Sequence, residues 1–334
     1  KKLFPSFLML ANGQNSLLMT KALNRFISFD EQSGLLKCEA GVSLADILAW
    51  AVPKGWFLNV TPGTKYVTVG GAIANDVHGK NHHLKGTFGA HVTKFEVLRS
   101  TGERILCSLD QNTDLFQATI GGLGLTGLIL WAEIRLRPIS STYLQGVSIK
   151  FDSLDEYFEV SKSNDSKYEF TVSWIDSLSS KGRGIYMAGN FEQKTRKTLA
   201  NPAQGGLQLS VPFYFPGWAL NKLSVQMFNN LYFKKQTQKE ITVRPHFEPF
   251  FYPLDSVLNW NRIYGRRGFY QYQFCLPHTA DNGVLKKIVH IISQSGFASF
   301  LSVMKNFGAS TSPGMLSFPA EGITLAMDFA NLGK

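Results

Sequence analysis

Three cysteines in 334 residues, Cys38, Cys107 and Cys275, are too few and too scattered for a disulfide framework, and no C-x-x-C pair offers a zinc site. No metal centre is expected, and the setting is expected to be reducing and cytoplasmic. Long apolar runs are missing too: the best are short pieces such as Leu123 to Trp131, against the ~20 residues that cross a bilayer. No spanning helix is expected. Acids are scarce, 24 Asp+Glu against 34 Lys+Arg, so the net charge of +10 comes from missing carboxylates rather than from basic runs. That excludes a histone-like polycation. Lys and Arg are scattered and neither an RNP-like aromatic motif nor a helix-turn-helix pattern occurs, so no nucleic-acid partner is expected. Thirty glycines keep no fixed period, which excludes collagen-like and simple repeat architectures. The chain starts Lys1-Lys2-Leu3-Phe4-Pro5 without a methionine or a clear signal peptide and stops at Gly333-Lys334 after a strand-like run, so it reads as a fragment.

What is present is a 44% hydrophobic composition, enough for a real core, in a length that suits two ordinary domains. The first 140 residues combine β-branched runs with glycine turns and one amphipathic helix, Ser43 to Ala51, in which Leu44, Ile47, Leu48 and Ala51 recur at helical spacing behind a serine cap. Strands are predicted at Leu35 to Glu39, Phe57 to Val60, Val92 to Leu98, Arg104 to Cys107 and Gly127 to Leu136. This is α+β, not alternating βαβ. After Pro138 to Thr142 aromatics crowd in and the glycine motifs vanish, which places a domain boundary at 140/141. Beyond it, strands are predicted at Phe170 to Ile175 and Gly184 to Ala188, a surface loop at Lys194 to Gly206 and a helix at Lys222 to Lys239. The run strand Gly268–Leu276, helix Ala280–Gln294, strand Ser299–Lys305, hairpin, strand Gly322–Phe329 has the form of a split β-α-β unit.

The most informative stretch runs from Thr61 to His83. Gly63, Gly70, Gly71 and Gly79, with small Ala72 and Ala74, expose a main chain that a large flat or anionic group can approach, with N–H groups free to donate. Its tail places Asn75, Asp76, His78, Lys80, Asn81, His82 and His83 within nine positions. Spacing alone leaves two readings open, a cofactor cradle or a glycine-rich turn with a solvated loop. A second cluster, Gly121-Gly-Leu-Gly-Leu-Thr-Gly127, lies just before a long strand and again offers unhindered backbone. It is neither a dinucleotide fingerprint in a βαβ context nor a phosphate loop followed by Lys-Ser/Thr, so nicotinamide and nucleoside triphosphate readings weaken.

Thr61 to His83 and Gly121 to Ile129, together with Trp260-Asn-Arg-Ile-Tyr-Gly265, Tyr270-Gln-Tyr-Gln-Phe274 and Ser317-Phe-Pro319, resemble the decaprenylphosphoryl-β-D-ribose 2-oxidase family, within the vanillyl-alcohol-oxidase-like flavoproteins. The resemblance covers nearly the whole chain. It implies a PCMH-type FAD-binding domain over 1–140, followed over 141–334 by a substrate-binding domain with a mainly antiparallel sheet. The implied reaction is oxidation of the 2-hydroxyl of a polyprenylphosphoryl-β-D-ribose by hydride transfer to flavin N5. A partner short-chain reductase would then complete an epimerisation used in cell-wall biosynthesis. Peripheral contact with the inner membrane follows from such a substrate, and the positive balance suits an anionic lipid surface. The apolar stretch Val211 to Trp218 could dip into lipid or pack the domain, and packing is the expectation.

Carried over by motif position, Gly63, Thr68, Val69, Gly70, Gly71, Asn75, Asp76, Val77 and His78 would line FAD, and Ile129 would touch it from the following strand. His78 and Lys80 are the implied catalytic residues, His78 orienting the sugar rather than serving as sole base. Lys80, Gln271, Gln273 and Lys305 are the implied substrate residues. Two family features have no counterpart: the glycine-rich loop that holds the FAD pyrophosphate is not seen in Lys1 to Leu10, and the lysine base lies in a carboxy-terminal segment past the residues present. Ala326 stands where mycobacterial relatives carry a cysteine, so a thiol-directed inhibitor would find no nucleophile there. The rival readings are a soluble sugar-alcohol or aldonolactone oxidase of the same fold, without a prenyl groove, and a flavin-fold scaffold without catalysis.

Overall fold

The structure, a computed structural model, describes residues 20–194, 199, 209–331 and 333. The stretch Lys1 to Leu10 lies outside the described residues, as does most of the expected loop Lys194 to Gly206. The chain packs as two units, one of 1–142 with 193–202 and 310–319, the other of 143–192 with 203–309 and 320–334. The composition change near 140 marks only the first crossing; two short later stretches belong with the amino-terminal unit.

The first unit is built on an antiparallel sheet of β1 (Phe26–Asp30), β2 (Leu35–Glu39), β4 (Val92–Leu98), β5 (Arg104–Ser108) and β6 (Leu128–Pro138), in the order β1-β2-β6-β4-β5, with β3 (Trp56–Leu58) on the far end of β6. Central β6 buries Ala132, Ile134 and Leu136 in alternation, as a strand with one face on the core should. The alternation breaks between Ile129 and Ala132, where the register against β4 shifts between Glu96 and Val97. Leu130 in that shift accepts a hydrogen bond from the Ala40 N–H at 3.0 Å and so ties β6 to the loop before α1 (Leu44–Ala51). The predicted Ser43 cap is present as a full capping box: the Asp46 N–H donates to Ser43 Oγ at 3.1 Å and the Ser43 N–H to Asp46 Oδ2 at 3.2 Å. Three short helices, α2 (Val69–Ala74), α3 (His82–Lys85) and α4 (Thr113–Thr119), complete this unit.

The second unit holds a seven-stranded antiparallel sheet of β7 (Leu144–Phe151), β8 (Phe170–Ile175), β9 (Gly184–Phe191), β11 (Glu240–Val243), β13 (Phe269–Pro277), β14 (Ser302–Phe307) and β15 (Gly322–Ala330). Its order is β11-β7-β9-β8-β14-β15-β13. The predicted split β-α-β unit is there: β13 and β14, joined by α8 (Asn282–Ser295), both lie antiparallel to β15 between them. A second copy of the arrangement, β7, α5 (Leu154–Asn164), β8 and β9, was not read from the sequence, and β8 joins the two halves at β14. Helices α5 and α8 cover one sheet face, sharing a core of Leu154, Tyr157, Leu285 and Val289 with Phe151, Met304, Leu325 and Met327. Helix α6 (Lys222–Lys235) uses Phe233 to cover Trp174 and Ile185. The remaining elements are α7 (Phe247–Phe251) and the two-stranded pair β10 (Leu209–Ser210) and β12 (Val257–Leu258).

Candidate functional site

In the first unit the cradle centres on α2, whose N-cap Thr68 uses its hydroxyl to accept from the Gly71 N–H at 3.2 Å. A Cβ added at Gly71 would meet only that hydroxyl, and one at Gly63 or Gly124 would meet nothing within 4 Å. These three positions expose main chain to open space, as close approach by a large planar group requires. The residues present therefore fit the flavin nucleotide. Gly70 and Gly79 do not share that role, because a Cβ there would press on Ala40 or on the Thr61 carbonyl; they are glycine for packing.

The expected free donors are already engaged. Val69 N–H donates to Val42 O at 2.9 Å, Gly70 N–H to Ala40 O at 2.8 Å, and Gly71 N–H to Thr68. The first three N–H groups of α2 thus have partners within the fold, and at the start of this helix the cradle contributes shape rather than an anion-binding set of donors. The Val69 side chain is fully buried and Ile129 nearly so, hence both support the cradle from the core side. Asn75 caps the helix end, donating from Nδ2 to Gly71 O at 2.8 Å, and half-buried Val77 donates from its N–H to Ala72 O at 3.1 Å. The two glycine motifs meet here: Gly121 N–H donates to Ile73 O at 3.0 Å and Leu123 N–H to Ala74 O at 2.8 Å.

Asp76, expected at the flavin, is instead completely buried, with φ of 40°. Its carboxylate accepts from the Gly89 N–H at 2.8 Å, from Ser317 Oγ at 2.5 Å and from Ser312 Oγ. It is a fastener for the 310–319 stretch of its own unit. His78 stands half-buried beside it, bridging to Thr87 with its ring 6.4 Å from that of Phe318. Lys80 is half-buried as well, and burial pushes its ammonium down to about 8, well below an ordinary lysine. An amine so placed changes charge close to neutral pH.

In the second unit, register decides which side chains share a face. Gln271 lies opposite Asp328 and Gln273 opposite Ala326 on β15, while Val303 and Lys305 of β14 lie opposite Ala326 and Thr324. Directly opposed residues point the same way, so Gln271, Gln273, Lys305, Thr324, Ala326 and Asp328 share the face turned from the α5–α8 core. Gln273 donates from Nε2 to Thr324 Oγ1 at 2.8 Å, and Gln271 from Nε2 to Asp328 Oδ1 at 2.8 Å. Asp328 is 1% exposed, and burial raises its carboxyl to about 6. Sequence reasoning missed Asp328 and Thr324, although a lone acid in the apolar run Gly322 to Ala330 was a usable signal.

Bare backbone at α2, the second glycine cluster docked on it and an antiparallel substrate-type sheet define a class: a PCMH-type FAD-binding oxidoreductase. Comparison with known proteins agrees. The family described as FAD binding domain matches residues 6–108. The decaprenylphosphoryl-β-D-ribose oxidase of Mycolicibacterium smegmatis is 38% identical over 328 residues, 95% of this chain and 71% of that protein. A Streptomyces coelicolor protein described as an uncharacterized protein in mprA 5'region is 30% identical over 304 residues, 86% of this chain and 80% of that protein. The human Delta(24)-sterol reductase is 30% identical over 112 residues, 34% of this chain and 22% of its own length. The chain belongs to the decaprenylphosphoryl-β-D-ribose oxidase family, and it is an FAD-dependent oxidoreductase acting on CH–OH groups.

Proposed function

We propose that this protein oxidises the 2-hydroxyl of a polyprenylphosphoryl-β-D-ribose. The observation that carries the reading is the polar face of the second unit, where two amides and an ammonium, Gln271, Gln273 and Lys305, stand in one register beside Ala326. Amides suit sugar hydroxyls, and an ammonium suits a phosphodiester. The identity to the Mycolicibacterium smegmatis oxidase, spread over 95% of the chain, supports the same substrate class. FAD, when bound, would supply the two-electron acceptor for the hydride that the carbinol carbon loses. The chain's own groups do the rest. Gly71 and Gly63 leave room for the nucleotide, His78 orients the sugar hydroxyl, and Lys80, with its lowered affinity for a proton, holds or yields charge near that hydroxyl. Lys305 holds the lipid phosphate.

The keto-sugar product suits a separate short-chain reductase that returns hydride to the opposite face and completes an epimerisation. A lipid-linked substrate also implies peripheral contact with the membrane that holds it. The test is anaerobic bleaching of the flavin band in the full-length protein with a panel of a prenylphosphoryl ribose, free ribose, a sugar alcohol and an aldonolactone. Fastest bleaching is expected with the prenylphosphoryl ribose. A faster sugar alcohol or aldonolactone would establish the soluble-oxidase reading instead, and a colourless protein that refuses FAD would establish a scaffold.

A further inference from the structure

Helix α6 buries Val225, Asn229 and Phe233 on one side and leaves Leu223, Met227 and Leu231 on the other, 76%, 62% and 65% exposed. Their spacing of four makes a continuous apolar stripe along the helix. A soluble surface seldom leaves such a stripe uncovered without a partner. Trp218, 77% exposed, is fastened to the start of the helix, because Asn221 donates from Nδ2 to the Trp218 carbonyl at 2.9 Å. Of the stretch expected to pack inward, Val211 is buried and Phe215 half-buried, whereas Phe213 at 61% exposure and Trp218 are presented outward.

The charge around the stripe says what covers it. No acidic residue occurs between Glu192 and Glu240, and the stripe ends at exposed Lys234 and Lys235 in the last helical turn. Lysine is depleted from the centres of protein interfaces, whereas aliphatic side chains with exposed tryptophan and flanking lysines are the composition of helices that lie on anionic lipid. The helix cannot do more than lie there. Among the described residues no helix is long and apolar enough to cross a membrane, and α6 has 14 residues.

We infer that the outer face of α6, with Trp218, is a docking surface for an anionic lipid bilayer, the helix lying in the headgroup plane. This deepens the peripheral contact proposed above and rests on that reading, yet it is read out without turnover: flavin bleaching by a detergent-dispersed substrate tests the oxidase, and vesicle binding tests the surface. The experiment is co-sedimentation of the full-length, flavin-loaded protein with phosphatidylcholine vesicles, with and without phosphatidylglycerol. Binding is expected to the anionic vesicles, weakening as salt rises, with a blue shift of tryptophan emission that Trp218→Phe removes. Leu223→Ser with Met227→Ser, and separately Lys234→Glu with Lys235→Glu, should each lower partitioning about tenfold or more. All four side chains are exposed, so unchanged circular dichroism and flavin content will certify the variants. Wild-type protein that ignores both vesicle types, or a Leu223→Ser/Met227→Ser variant that binds like wild type, would overturn the inference. So would a wild-type dimer that this variant dissociates without change in vesicle binding, which would assign the face to a second copy of the chain.

Discussion

Asp328 and Lys80 are the two residues whose surroundings oppose their charge most plainly. For Asp328 the folded carboxyl titrates near 6 against 3.8 for the ordinary group. At this group the native state therefore holds more protons than the unfolded chain between those values, so the carboxyl's own contribution to stability is fully present below about 3.8 and is lost as pH rises through about 6. The difference amounts to roughly 2–3 kcal/mol. Asp328→Asn should remove that fall, leaving the variant more stable than wild type at pH 7 and above in urea titrations. A parallel loss across the whole pH range would mean that the residue acts through packing alone. Gly71→Val would fill the space over α2 and press on its Thr68 cap, so a folded variant should retain little flavin by absorbance. Unchanged flavin content would remove Gly71 from the cradle. Lys305→Met should raise KM for a prenylphosphoryl ribose roughly tenfold or more, as loss of a charge-assisted hydrogen bond does, and leave free ribose little affected. Equal effects on both would argue against a phosphate role.

At the scale of elements, the strands that alternation predicts well are those with one face on a core and one toward polar groups, such as β6. Strand β7 escaped prediction because Val147, Ser148 and Ile149 are all buried, with α5 on one side and Gln236 reaching Ser148 on the other; both faces are covered and the period of two is erased. Helix α8 is the opposite case, a strongly amphipathic run that seats Leu285 and Val289 on the sheet. Leu285 is wholly inaccessible to solvent, so Leu285→Ala should cost about 2–5 kcal/mol in a urea titration, by lost transfer energy plus the cavity left behind. A cost below 1 kcal/mol would show that α8 is not part of a close-packed core.

At the scale of the whole molecule, the two units do not follow one another along the chain. Residues 310–319 leave the second unit's sequence to pack in the first, where Ser312 and Ser317 give Asp76 its hydrogen bonds. A buried carboxylate without donors is costly, and with them it offsets the strain of its φ of 40°. A fragment of 1–142 should therefore melt well below the first unit of the intact chain and lose flavin on heating first. Asp76→Ala in the intact chain, which strands the Gly89 N–H, should destabilise by about 2–3 kcal/mol. A fragment as stable as the intact chain would show that the 310–319 stretch adds nothing.

The amino-acid sequence by itself determined what depends on near neighbours: the Ser43 cap, the strands with one buried face, the split unit around α8, the glycine motifs and, through them, the family and its cofactor. Tertiary structure alone decided partners. Residue type reveals that Asp76 needs donors, but the serines that supply them lie 236 and 241 positions away. Likewise a glutamine pair and a distant lysine become one polar surface only because β15 lies between their strands in a particular register. The apparently open N–H groups of α2 were claimed by Val42, Ala40 and Thr68, since a folded chain satisfies its backbone donors from whatever carbonyl or hydroxyl the topology brings near.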